Sequence, residues 1–234
     1  GRYEVQLLIF SLSDDKHEWI DINNYGYQGG LLDGTIIATV RDATNPQGAT
    51  YEAIKIEPKS GKVLSKTTLS NMSYTGIFFA GKSFTINLPY IIAPSGSEFL
   101  MTARDDGGQC TSIWRYVWGT DNAEPFINSP NADVCDPAYS WDGKKIVYTS
   151  KAKKAWMLTS LVVANADGSS WQILSTPNLT EYQIRYPSWS PTGRQLAFTY
   201  GKFPPGGYSS SDIYVINLPP ELQATPFYQP TKTP

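Results

Sequence analysis

Side chains that can carry a proton, attack a carbonyl or hold a metal are few in this sequence, and they are far apart. The single histidine, His17, sits in a polar stretch with Asp15 and Glu18. A Ser-His-Asp triad would have to be assembled around that one imidazole, and no Gly-x-Ser-x-Gly elbow exists to present a serine. A solvated turn histidine accounts for it. One histidine and two distant cysteines do not make a zinc set of the usual composition. Arg104-Asp105-Asp106-Gly107-Gly108 offers adjacent carboxylates but lacks the alternating acidic spacing of a calcium loop, so it reads as an inter-strand turn. No glycine-rich run leads into Lys-Ser/Thr as a phosphate cradle does. The expectation is therefore no catalytic residue, no metal and no cofactor. Carboxylate pairs for glycoside hydrolysis are defined by separation in space, and that alternative stays open.

Residues suited to binding are better represented. Trp114, Trp118, Trp141, Trp156, Trp171 and Trp189 mostly fall at repeat positions and read as core. Trp118, beside Tyr116 and ahead of a polar turn, and Trp156, within a lysine-rich connection, are the ones expected at the surface, where Trp and Tyr anchor partners. Asp136 and Tyr186 each precede a proline at the entry to a strand and join them as candidate partner contacts. Cys110 and Cys135 admit two readings, a disulfide tying adjacent repeat units or two buried thiols. Asn71-Met72-Ser73 and Asn178-Leu179-Thr180 fit the glycosylation tripeptide.

The elements that must position these residues are short strands. Charged residues are only 17 % of the 234, whereas Trp, Tyr and Phe number 7, 15 and 9 and glycine and proline 19 and 17, a profile of strands joined by many turns. A net charge of −2 with scattered Lys and Arg gives no footprint for nucleic acid. Lys144, Lys145, Lys151, Lys153 and Lys154 read as a lysine-guarded sheet edge. No run reaches the ~18 apolar residues of a membrane span. The first residue is Gly1 rather than Met, compatible with a removed leader, upstream segment or tag.

The chain repeats itself. Asp136-Pro137-Ala138-Tyr139-Ser140-Trp141-Asp142-Gly143-Lys144-Lys145-Ile146-Val147-Tyr148-Thr149 matches Tyr186-Pro187-Ser188-Trp189-Ser190-Pro191-Thr192-Gly193-Arg194-Gln195-Leu196-Ala197-Phe198-Thr199, about 50 positions on. Pro94 to Thr102 is a looser copy and Asp33 to Ala38 a fainter one. Each copy leads into a second apolar strand, such as Leu161-Val162-Val163-Ala164 or Ile213-Tyr214-Val215-Ile216. Polar Gly/Asn/Asp turns close the hairpins after the earlier copies. The N-terminal segment matches only the outer half of a unit, and residues 71–93 read as a degenerate unit or an insertion.

Tyr186 to Phe198, with Ala164-Asn165-Ala166-Asp167-Gly168, resembles the WD-like repeat of TolB-type β-propellers. The resemblance covers residues 136–218 well and 31–129 thinly. It implies an all-β propeller of four-stranded antiparallel blades, about five, with six or an incomplete ring as alternatives. The propeller spans 1–218, its units clearest at 89–130, 136–176 and 183–218, and 219–234 reads as a Pro/Thr-rich tail or linker. The resemblance further implies a periplasmic or secreted scaffold without enzymatic activity whose partner is another protein. Carbohydrate binding or cleavage, and a structural role in a surface repeat array, are the alternatives. The aspartate usual before the repeat glycine is kept as Asp142 but replaced by Ser95 and Thr192.

Overall fold

The computed structural model describes residues 6–10, 17–21, 25–30, 35–42, 50–57, 62–69, 72–73, 76–79, 82–85, 92–105, 109–120, 123–153, 155, 160–174, 182–202 and 211–226. They form nineteen strands in five antiparallel sheets. The first sheet pairs β1 (Gln6–Phe10) with β2 (His17–Asp21), so His17 opens a strand rather than lying in a turn. The second runs in chain order through β3 (Tyr25–Gly30), β4 (Ile36–Asp42), β5 (Thr50–Ile56) and β6 (Val63–Leu69). The third contains β7 (Met72–Ser73), β8 (Gly76–Phe79), β9 (Lys82–Thr85), β10 (Glu98–Arg104), β11 (Cys110–Val117) and β12 (Ala123–Ile127). The fourth holds β13 (Ala132–Tyr139), β14 (Lys145–Ala152), β15 (Ser160–Asn165) and β16 (Gln172–Leu174). The fifth has β17 (Tyr182–Trp189), β18 (Gln195–Lys202) and β19 (Ser211–Asn217).

The repeat seen in the sequence is a repeat of hydrogen bonds. The amides of Ala93, Ser140 and Ser190 donate to the carbonyls of Glu98, Lys145 and Gln195 at 2.9, 2.8 and 2.9 Å. Within each loop the amide of Gly96, Gly143 or Gly193 donates back to that first residue. The turn needs a left-handed residue, with φ of 68° at Gly143 and 70° at Gly193, where a Cβ is unfavourable. Strand alternation then sends every second side chain of β14 to one neighbouring sheet and the rest to the other. Ile146 and Tyr148 join Leu100, Met101 and Trp114 of the third sheet, while Val147 packs with Ile184, Trp189 and Leu196 of the fifth. Each fully buried Leu or Ile there contributes about 1.5–3 kcal/mol.

Four expectations need correction. The lysine cluster does not guard an edge: β14 lies between β13 and β15, and Lys151 is buried. Its ammonium is satisfied by the Ala155 carbonyl at 2.8 Å, Gln109 Oε1 at 3.3 Å and the Asp133 carboxylate at 3.8 Å. Lys154 lies outside the described residues. Nor does the segment from Pro219 leave the fold at once. A turn of 3₁₀ helix at Pro220–Leu222 returns Leu222 and Ala224 to the core beside Leu218. The Ala224 amide donates to Gly193 at 2.9 Å, and the Thr225 amide to Asp142 Oδ2 at 2.8 Å. Third, the strands described between 71 and 93 do not form a unit of their own: β8 and β9 make a hairpin, and β9 pairs with β10 and widens the third sheet to six strands. Finally, the N-terminal segment that reads as the outer half of a unit does not add to another described sheet: among the described residues β1 and β2 pair only with each other and β19 only with β18.

Candidate interaction surface

Register converts the repeat into a comparison of surfaces. On the fourth sheet Thr149 stands opposite Leu161 and Val147 opposite Val163; on the fifth Thr199 stands opposite Ile213 and Ala197 opposite Val215. Leu161 and Val163 are wholly covered, at 0 %, because the fifth sheet lies on them. Ile213 is 76 % exposed and Val215 58 %. The inner strands show the same contrast: Ala138 is buried and its counterpart Ser188 is half-buried. The opposite face of the fifth sheet is occupied. Phe198 stacks with Tyr214 at 6.2 Å, and Tyr200 meets Tyr214 edge-on at 4.9 Å. The fifth sheet therefore packs on one face through Leu196 and Phe198 of β18, while β19 is exposed along nearly its whole length, with Ile213 and Val215 on the uncovered face and Tyr214 44 % exposed on the other.

A second constellation joins the fourth and fifth sheets at their first strands. Both β13 and β17 carry a bulge at the repeat proline, and the residue before it is held left-handed, with φ of 48° at Asp136 and 53° at Tyr186. A residue before proline disfavours helical backbone, and a non-glycine residue at positive φ is uncommon. Asp136 is buried and takes Arg185 in a bidentate pair, Nε to Oδ2 at 2.5 Å and Nη2 to Oδ1 at 3.2 Å. Thr149 Oγ1 donates to the same carboxylate at 3.3 Å. Burial works against the Arg185 charge, but the Asp136 hydrogen bond and charge outweigh it and hold the guanidinium pKa above its ordinary value. Arg185 therefore stays charged near neutral pH. The pair is a clasp between sheets, with the half-exposed Tyr186 ring 4.9 Å from the guanidinium.

The other sequence candidates fall elsewhere. Tyr116, expected near the surface, is buried: its ring stacks on Phe99 at 4.8 Å and its hydroxyl meets Thr67 Oγ1 at 3.2 Å. Trp118 is half-buried with the Lys55 ammonium 4.5 Å above it. Both side chains thus link the second and third sheets, since strand alternation turns them toward a neighbouring sheet rather than toward solvent. Trp156, Asn71 and Asn178 lie outside the described residues. Cys110 and Cys135 form a disulfide with Cα atoms 5.7 Å apart, linking β11 to β13. Trp171, read as core, is 63 % exposed. Its position just after the Asp167-Gly168 turn, at the start of an outer strand, was the available signal. No signal of that kind marked Ile213 and Val215, whose strand reads like any covered one. Among the described residues no three His, Cys, Asp or Glu side chains gather as a metal set, and no helix is long and apolar enough to cross a membrane.

No family model and no curated protein matches the sequence. Solved structures do resemble the fold. Oligogalacturonate lyase from Vibrio parahaemolyticus superposes with a TM-score of 0.51 at 16 % identity, over 94 % of this chain and 74 % of that one. A chain of the nidogen/laminin complex gives 0.50 at 10 % identity, over 91 % and 74 %. The β-propeller domain of the trilobed protease from Pyrococcus furiosus gives 0.46 at 11 % identity, and this chain spans 54 % of its length. At these identities the likeness concerns fold alone: the chain has a β-propeller fold of antiparallel sheets, two of them four-stranded among the described residues.

Proposed function

We propose that this chain is a non-enzymatic, extracytoplasmic propeller that works by holding another protein against the open face of its fifth sheet. The observation that carries the reading is the exposure of Ile213 and Val215, at 76 % and 58 %, where the equivalent Leu161 and Val163 are at 0 %. An apolar sheet face of this kind gains roughly 25 cal/mol for each Å² it removes from water, and its natural complement is a second packed protein surface. The Cys110–Cys135 disulfide favours an oxidising compartment, periplasmic or secreted. The non-enzymatic part of the proposal rests on the sequence, with its lone histidine and missing nucleophile elbow.

The test compares the wild-type chain with Ile213→Asp/Val215→Asp by sedimentation, after capture of partners from the native source and with amide exchange across 211–217. Association that the double variant abolishes, with folding intact, supports the proposal. A wild-type chain that stays monomeric and loses as much stability from Ile213→Ala as from Leu161→Ala overturns it, because the face is then covered by the chain itself.

A further inference from the structure

Between the third and fourth sheets lies an open groove of about 520 Å³. Phe126 and Ile127 of β12 form one wall, and Val162, Trp171 and Ile173 the other. Its floor contains Tyr148 and Ser150, two positions apart on β14 and so on one face of the strand. These two side chains are 6 % and 9 % exposed. Neither hydroxyl has a hydrogen-bond partner among the described residues, and neither is closed off from water, so both donors and acceptors are presented to whatever enters the groove. Burial pushes the Tyr148 phenol up to about 12, so it stays protonated and can donate.

The remaining features narrow the occupant. No Asp, Glu, Lys or Arg lines the groove, while Asn128, Ser129 and Asn131 supply neutral amide and hydroxyl groups at its rim. Trp171 is 63 % exposed, giving a broad aromatic surface beside those polar groups. The wall opposite is fixed in advance: Phe126 lies under the Arg115 guanidinium at 5.3 Å, and a Cβ on Gly168 would touch its ring at 3.7 Å. Addition of a peptide strand is disfavoured, because Pro125 interrupts the donors of β12 and β16 is only three residues long.

We infer that this groove binds a neutral saccharide, whose C–H face lies on Trp171 and whose hydroxyls meet Tyr148, Ser150 and the rim amides. Pyranose rings combine an apolar face with a circle of donors and acceptors and carry no charge, which matches an uncharged site that sets an exposed indole beside hydroxyl and amide groups open to the groove. The inference is independent of the fifth-sheet surface.

An array of neutral glycans, followed by calorimetry with tetraoses of glucose, xylose, mannose and galactose, tests it on the full chain. Trigalacturonate and a proline-rich decapeptide complete the set of probes. The expected result is binding of at least one neutral glycan, weakened about tenfold or more by Trp171→Ala and about three- to tenfold by Tyr148→Phe. Trigalacturonate is expected not to bind. Absence of any neutral glycan ligand, binding unchanged by Trp171→Ala, or binding of the peptide instead would overturn the inference. Trp171 is exposed and Tyr148→Phe keeps the ring, so both variants retain the packing that folding requires.

Discussion

Ile213 occupies on β19 the place that Leu161 occupies on β15, each opposite a threonine of the preceding strand, yet Leu161 is fully covered and Ile213 is 76 % exposed. Equivalent positions should thus respond unequally to the same truncation. Leu161→Ala is expected to cost about 2–5 kcal/mol by opening a cavity, and Ile213→Ala less than about 0.5 kcal/mol. Urea unfolding of the two variants measures the difference. Equal costs would mean that Ile213 is covered in solution.

The Asp136–Arg185 clasp has a related asymmetry. Asp136→Ala strands a largely buried guanidinium and should destabilise the fold by about 3–5 kcal/mol. Replacing both partners, as Asp136→Leu with Arg185→Met, should recover much of that loss, since neither charge is then left buried without its counter-charge. A double-mutant cycle reads the coupling, and additive single losses would show that the pair does not act as a unit.

For the disulfide, the sequence separation of 25 between Cys110 and Cys135 sets the scale. Closing a loop of that length in the unfolded chain corresponds to about 3–4 kcal/mol. Thermal unfolding with and without reductant, and of Cys110→Ser/Cys135→Ser, should show a loss of this order. An unchanged midpoint would remove the bridge from the list of stabilising contacts.

Acid should loosen the C-terminal segment before the sheets. Burial works to raise the Asp142 pKa, but hydrogen bonds from Ser140 Oγ and from the Thr225 and Lys144 amides outweigh it and leave it below the ordinary value. A carboxyl depressed in the folded state contributes stability that is fully present above its unfolded pKa, near ~4, and is lost as pH falls through the folded value. Amide exchange at Thr225 should therefore accelerate below about pH 4. In Asp142→Asn that acid dependence should disappear.

Much of the architecture was legible in the sequence because it is local. Gly143 and Gly193 mark turns that need a left-handed residue, and the apolar strands around them alternate, so β13–β15 and β17–β19 follow directly. Gly143 marks the turn that holds Asp142, but the second role of that carboxylate, accepting from the Thr225 amide, depends on a return of the chain over residues that read as a tail. Tyr116 and Trp171 exchanged their expected places for a similar reason: a period of two assigns a side chain to a face and says nothing about what lies on that face.

What the sequence by itself determined is the unit: strand, glycine turn, strand, repeated about every 50 residues, with few groups able to do chemistry. Tertiary structure alone decided how units meet. It joined Asp136 to Arg185 and Cys110 to Cys135 across sheets, opened a groove over Tyr148 and Ser150, and left Ile213 and Val215 uncovered. Side-chain alternation is written residue by residue along one strand, whereas burial depends on the presence of a neighbouring sheet, and a strand carries no record of its neighbour.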